Sequence, residues 1–261
     1  MLLALNIGNT NLAVAVESSK NVKRFPIIGF DTVDDFIKVL DSNLPIKKAI
    51  ICSVIPNLAL LLQQAIEVQY SLTPQVVNVT DFLQSSQLRV NFSHYDIIPP
   101  STLGSDRMMI CEAAFRKYRE SEKRLSPIIV FDFGTATTIN VIDKEGAFKG
   151  GWIIAGVMTG IQALSQKTAQ LFCPSDLDNL ANDVQTRLPL LGNNTEDCIK
   201  SGAVFGNAII LDGTVRRIEE VIGKSTVIAT GGNAKIILPA CETKVFYEPE
   251  LLMEGLFELG K

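Results

Sequence analysis

Two short loops carry the residue types that hold phosphates: Asn6-Ile7-Gly8-Asn9-Thr10 and Asp132-Phe133-Gly134-Thr135-Ala136-Thr137-Thr138. Glycine lets the backbone approach an anion because no Cβ intervenes, and the neighbouring threonine and asparagine offer N–H and hydroxyl donors. Residue 132 stands 126 positions after residue 6, near half of the 261-residue chain. One Gly-Asn turn alone reads as an ordinary hairpin. Two such loops, each closing an apolar run, point to a duplicated fold with a nucleotide held between its halves. Asp132 stands where a strand meets the second loop. A carboxylate there suits a cation beside phosphates, or simply bonds its own turn.

A third segment, Gly104-Ser105-Asp106-Arg107, opens a helix-patterned stretch. Asp106 reads either as a first-turn carboxylate that satisfies helix N–H groups or as a general base beside an arginine that grips a carboxylate or phosphate. Thr230-Gly231-Gly232-Asn233 follows a buried strand and precedes a helix, where N–H groups meet a nucleotide. Gly150-Gly151-Trp152 and Ala155-Gly156 read equally as bends or as points of close approach. Asn194-Thr195 reads most simply as the cap of a long helix.

Other chemistries are poorly supplied. His94 is the only histidine, which removes histidine triads and histidine-rich zinc sites. The five cysteines are widely spaced without a CxxC pair and read as thiols of a reducing compartment. A net charge of −4 with scattered basic residues argues against a nucleic-acid surface. The apolar start at residues 1–5 lacks a basic region and is too short for a signal peptide, and no apolar run is long enough for a membrane helix. The expectation is a cytoplasmic protein with no nucleic-acid or membrane partner.

The elements that must position these residues alternate between strand and helix, the mark of α/β layering. Residues 2–16 predict a hairpin turning at Gly8-Asn9, followed by strands over 25–30, 48–55 and 75–79 and helices over 34–40 and 58–68. Residues 84–102 are polar and proline-marked and predict a loop. A helix is predicted over 105–119, and the charged residues 119–126 read as the crossing between domains 1–120 and 121–261. The pattern then restarts, with strands over 128–133, 138–143, 147–154 and 226–229. Helices are predicted over 157–171, 195–222, 234–238 and 251–259.

Taken in order, these motifs resemble one family, type III pantothenate kinase, within the superfamily of acetate and sugar kinases, heat-shock chaperones and actin. The resemblance runs from residue 1 to about 257. It includes Ser53-Val54-Ile55-Pro56, Gly192-Asn193-Asn194-Thr195, Ser201-Gly202 and Glu254-Gly255-Leu256 beside the loops already named. It implies a duplicated two-domain actin-like ATPase fold with the active site in the inter-domain cleft. It also implies ATP-dependent phosphorylation of pantothenate, a homodimer, magnesium, and a monovalent cation, potassium or ammonium. Carried over motif by motif, Asp106 is the general base, and Gly104, Ser105, Asp106 and Arg107 line the pantothenate pocket with Thr195. Asn6, Gly8, Asn9 and Thr10 cradle the ATP phosphates, Thr135 contacts ATP, and Asp132 holds the monovalent cation. The chain departs from the family pattern twice. Asn6 stands where the family places aspartate, and Ile97 stands where it places a tyrosine, with Tyr95 two residues earlier. A non-catalytic relative and a superfamily kinase for another hydroxylated substrate are the alternative readings.

Overall fold

Continuous apolar character with a Gly-Asn break makes the N-terminus fold back on itself. Leu2–Ile7 (β1) pairs antiparallel with Asn11–Val16 (β2), Ile7 facing Leu12 across the turn. The computed structural model describes residues 1–19, 21–83, 87–93, 103–121, 125–174, 180 and 188–261. Lys48–Ser53 (β4) runs parallel to β1, Lys23–Pro26 (β3) lies beyond β2, and Gln75–Val76 (β5) lies beyond β4. The order is β3-β2-β1-β4-β5. The second sheet is built from Ile128–Phe133 (β6), Ala136–Ile142 (β7), Phe148–Ala155 (β8), Thr226–Thr230 (β9) and Phe246–Tyr247 (β10), in the order β10-β9-β6-β7-β8. Read with β6 in the place of β1, β7 of β2, β8 of β3, β9 of β4 and β10 of β5, the two sheets share one strand order and one mix of parallel and antiparallel pairs. The duplication inferred from the loops is present in the topology.

The chain divides into two compact units, Met1–Lys123 with Glu250–Lys261, and Arg124–Pro249. In the first, Val33–Ile37 (α1) and Pro56–Tyr70 (α2) bury Phe36, Leu62, Ala65 and Ile66 against Leu3, Leu5, Ile7 and Ile51 of the sheet. Each of the larger side chains contributes roughly 1.5–3 kcal/mol by leaving water. Val79–Leu83 (α3) follows β5. Ser105–Ala114 (α4) widens into a π-helical segment, Phe115–Ser121, and packs on the C-terminal helix Leu251–Gly260 (α8), which also lies on β1 and β4. In the second unit, Val157–Lys167 (α5), Thr195–Ile222 (α6) and Ala234–Ile237 (α7) close a core with Ile129, Phe131 and Phe133.

The C-terminal helix is the main departure from domains divided at residue 120. It groups with the first unit because Leu251, Leu256 and Leu259 are buried there, and because Gly255 admits the Met109 carbonyl and Ala113 at contact distance. The strand predicted over 25–30 ends early, at Pro26, and Gly29 then takes a positive φ of 93°. Pro56 both closes β4 and opens α2 as a first-turn proline, the one interior helix position that tolerates its missing N–H. The two-residue β10 and the five-residue α3 have no periodicity long enough to read. Most of the loop predicted over 84–102, with His94, Tyr95, Ile97 and Pro100, lies outside the described residues.

Candidate active site

In the first unit, Asn6 is half-buried near the end of β1, between Ala13 of β2 and Cys52 of β4. Gly8 donates its N–H to the Asn11 carbonyl at 2.9 Å, which tightens the turn and leaves Asn9 and Thr10 exposed at its crest. The register places Asn6 and Cys52 side by side on one face of the sheet. Cys52 donates to the Ser105 hydroxyl at 3.4 Å, and Ser105 donates to the Ser53 carbonyl at 3.0 Å. These bonds fasten the first turn of α4 to the strand beside Asn6. The Asn6–Thr10 loop and the Gly104–Arg107 segment thus converge within one unit. Cys52, one of five cysteines that read from sequence as buried or incidental thiols, is the link. Burial, with the charge of Asp106 adding to it, pushes its thiol up to about 12, against the lowering effect of the Ser105 bond.

Asp106 lies in the first turn of α4, after Gly104 at the N-cap. Its Oδ1 accepts the Arg107 N–H at 2.7 Å. A Cβ on Gly104 would collide with that oxygen, so only glycine leaves the carboxylate room to fold back. Burial pushes the Asp106 carboxyl above the ordinary aspartate range, and the N–H and guanidinium of Arg107 pull it the other way. Ser105 and Arg107 are buried. A carboxylate so placed is a better proton acceptor than one in water, provided the pH keeps it ionised.

In the second unit, Asp132 is the last residue but one of β6, between Thr138 of β7 and Thr230 of β9. Gly231 has a positive φ of 91°, and a Cβ there would stand 2.5 Å from Asp132 Oδ1, so the turn after β9 fits closely around this carboxylate. Thr135 is exposed at the crest of the loop. Of the glycines left open between bend and close approach, Gly150 has a positive φ of 97°. Gly151 and Gly156 are close approaches, pressed on the Ile139 carbonyl and on the Gly134 and Thr135 carbonyls. Asn194 caps α6 by accepting the Asp197 N–H at 2.9 Å. Thr195, the first residue of α6, is exposed and lines a cavity of about 740 Å³ with Gly156, Leu164, Asn194, Ile199 and Asn207.

Two buried side-chain polar atoms among the described residues have no hydrogen-bond partner, Asn6 Oδ1 and Thr137 Oγ1. Both flank the glycine loops, one in each unit. Buried groups are otherwise satisfied almost without exception, so such orphans call for a ligand, ion or water. The Asn6 amide oxygen suits a magnesium ion approached through water. It is an uncharged hard donor, and magnesium keeps most of its waters and takes its other ligands from nucleotide phosphates. Among the described residues no group of three or more His, Cys, Asp or Glu could cage such an ion alone.

The architecture is that of the actin-like ATPases and sugar kinases. The chain aligns over 99% of its length with a putative 2-dehydro-3-deoxygalactonokinase from Sinorhizobium meliloti, at TM-score 0.55 and 11% identity, covering 95% of that chain. It aligns equally far with the activator of 2-hydroxyisocaproyl-CoA dehydratase from Clostridium difficile, solved with bound ADPNP, at TM-score 0.53 and 11% identity, covering 92% of that chain. Sequence narrows the class. Residues 2–217 match the family model of type III pantothenate kinase. The type III pantothenate kinase of Desulforapulum autotrophicum is 32% identical over 98% of this chain and 95% of its own. That of Thermus thermophilus is 31% identical over 99% of this chain and 98% of its own. The chain belongs to the type III pantothenate kinase family.

Proposed function

We propose that this chain transfers the γ-phosphoryl group of ATP to the terminal hydroxyl of pantothenate, giving 4'-phosphopantothenate, the first step towards coenzyme A. The observation that carries the reading is the first turn of α4. There Asp106, raised in basicity by burial, is fixed against β4, the strand next to the one that bears the Asn6–Thr10 loop, in a chain that matches the family over residues 2–217. Asp106 accepts the proton of the attacking hydroxyl, and Arg107 and Ser105 shape the acid's pocket with Gly104. Gly8, Asn9 and Thr10 offer donors to the phosphates from the first unit, and Thr135 does so from the second. Thr195 contributes a hydroxyl to pantothenate. Phosphoryl transfer depends mainly on positioning and charge stabilisation, so a site without catalytic cysteine or histidine is adequate. Magnesium, met by Asn6 through water, and potassium or ammonium, held by Asp132, would supply positive charge for the developing phosphoryl oxygens.

The same reading includes a homodimer acting in the cytoplasm, where ATP is supplied. Support for a second copy comes from the second unit. Trp152 and Ile153 of the edge strand β8 are 45% and 62% exposed, and Leu164 of α5 and Ile209 and Ile210 of α6 are exposed apolar side chains as well. Exposed apolar side chains of this kind are what a second copy would cover.

A coupled ADP-release assay with pantothenate, run with and without potassium, tests the proposal. Turnover that depends on pantothenate and rises with potassium supports it. ADP release with another hydroxylated acid or sugar but not with pantothenate would reassign the substrate. No turnover with any acceptor, with nucleotide binding intact, would favour the non-catalytic relative for which Asn6 is the main argument.

A further inference from the structure

The second glycine loop is tied down differently from the first. Three successive carbonyls in it are engaged by donors of the same unit. The Phe133 carbonyl accepts the Asn233 N–H at 3.0 Å, and the Gly134 carbonyl accepts the Asn233 side-chain amide at 3.2 Å. The Thr135 carbonyl accepts both the Gly156 N–H at 3.1 Å and the Thr159 hydroxyl at 2.6 Å. In the first loop the matching main-chain bonds run from the Val54 N–H to the Ile7 carbonyl at 3.1 Å and from the Ile27 N–H to the Thr10 carbonyl at 2.8 Å, and valine has no amide to reach the next carbonyl.

These ties have an electrostatic consequence. In a trans peptide the carbonyl and the following N–H point in opposite directions. Holding the Gly134 carbonyl on Asn233 turns the Thr135 N–H to the opposite side, and holding the Thr135 carbonyl on Gly156 and Thr159 does the same for the Ala136 N–H. A loop that shows carbonyls repels phosphate, whereas successive N–H groups form an anion-binding concavity. We propose that Thr159 and Asn233 are positioning residues for nucleotide recognition. They keep the carbonyls of residues 134 and 135 turned into the protein, so that the loop meets the nucleotide's phosphates with donors. Neither residue touches the phosphates itself. The proposal rests on the kinase reading above.

The test uses the full-length protein and four variants: Thr159→Val, Thr159→Ser, Asn233→Ala and the double variant Thr159→Val with Asn233→Ala. Binding of a magnesium complex of a non-hydrolysable ATP analogue is measured by calorimetry, and KM is measured separately for ATP and pantothenate. Loss of one tie should weaken nucleotide binding and raise the ATP KM by about two- to twelvefold, the usual range for one hydrogen bond. The pantothenate KM should stay within about twofold, and Thr159→Ser should restore the nucleotide affinity because it restores the hydroxyl. Unchanged nucleotide affinity in the double variant would overturn the proposal. So would equal rises in both KM values, or a Thr159→Ser variant as weak as Thr159→Val. The calorimetric arm needs no pantothenate. A wild-type protein that binds nucleotide without phosphorylating pantothenate would therefore sink the kinase reading while still deciding the role of the ties.

Discussion

Replacing Asn6 by aspartate tests the least ordinary feature of the site. Asn6 Oδ1 is buried and has no partner, and an unsatisfied buried acceptor costs about 1–3 kcal/mol. Aspartate has nearly the same shape, so β1 and its turn should be kept. The added charge faces Ala13 and Cys52, neither of which can neutralise it, and the empty variant should therefore be less stable at neutral pH. For chains of about this size each kcal/mol lowers the melting temperature by roughly 2–4 °C. With magnesium and nucleotide present the sign reverses. A charge-assisted hydrogen bond to a metal-bound water is about twice as strong as one to an amide oxygen, a gain on the order of 1 kcal/mol. Asn6→Asp should then lower the magnesium half-saturation about fivefold to tenfold and melt higher than wild type once saturated. Scanning calorimetry of both proteins, empty and loaded, together with turnover at limiting magnesium, gives the two numbers. The same magnesium half-saturation in both proteins would refute the reasoning, since the orphan oxygen would then not face the metal.

Asp106→Asn should reduce turnover by roughly 10²–10⁴ with nucleotide affinity nearly unchanged, as read by steady-state kinetics and calorimetry. Because burial raises the Asp106 pKa, the folded protein holds that proton more tightly than the unfolded chain. Stability is then lost as pH rises from the ordinary value of 3.8 through the folded pKa, and activity is gained over the same rise. Asp106→Asn should accordingly flatten that part of the stability profile, and an unaltered profile would count against a buried, proton-retaining carboxyl. Asp132→Ala should abolish any difference between potassium and sodium buffers together with most activity; equal rates in the two buffers for the wild-type protein would sink the cation assignment. Glu112 is fully buried and accepts the Arg89 and Val90 N–H groups at 2.9 Å and Arg116 Nε at 2.6 Å. Glu112→Ala should cost about 3–5 kcal/mol in urea denaturation by stranding those donors, and a cost below about 1 kcal/mol would remove it as an anchor of residues 87–93.

What could be read from the residues follows from the range of each interaction. The long helix from Thr195 to Ile222 and the strand–loop–strand units around Gly8 and Gly134 are local patterns, and the structure reproduces them. The C-terminal helix shows its apolar face in sequence, but which sheet that face meets depends on Met109 and Ala113, more than 130 residues away. Cys52 and Ser105 are separated by 53 positions and look unremarkable until the register sets Cys52 beside Asn6. Thr159 gives no signal at all, because one threonine in the first turn of a helix is ordinary and only the fold brings it to the Thr135 carbonyl. Gly156 gave half a signal, and the carbonyls against its α-carbon decide it.

The helix-start and general-base readings of Asp106 are physically compatible. An Arg107 N–H at the start of α4 needs an acceptor, and Asp106 Oδ1 supplies it at 2.7 Å. The same bond, with the positive end of the helix dipole behind it, favours the ionised carboxylate and offsets part of the penalty of burial. Without it a buried carboxyl would hold its proton and be useless as a base; without the burial it would be too weak a base to help. Gly104 makes the compromise sterically feasible, since any side chain there would displace the oxygen that takes the bond. A carboxylate has two oxygens, and the cap requires only Oδ1. On the proposed reading Oδ2 would receive the proton while the helix end stays satisfied, so one residue would serve both the fold and the chemistry.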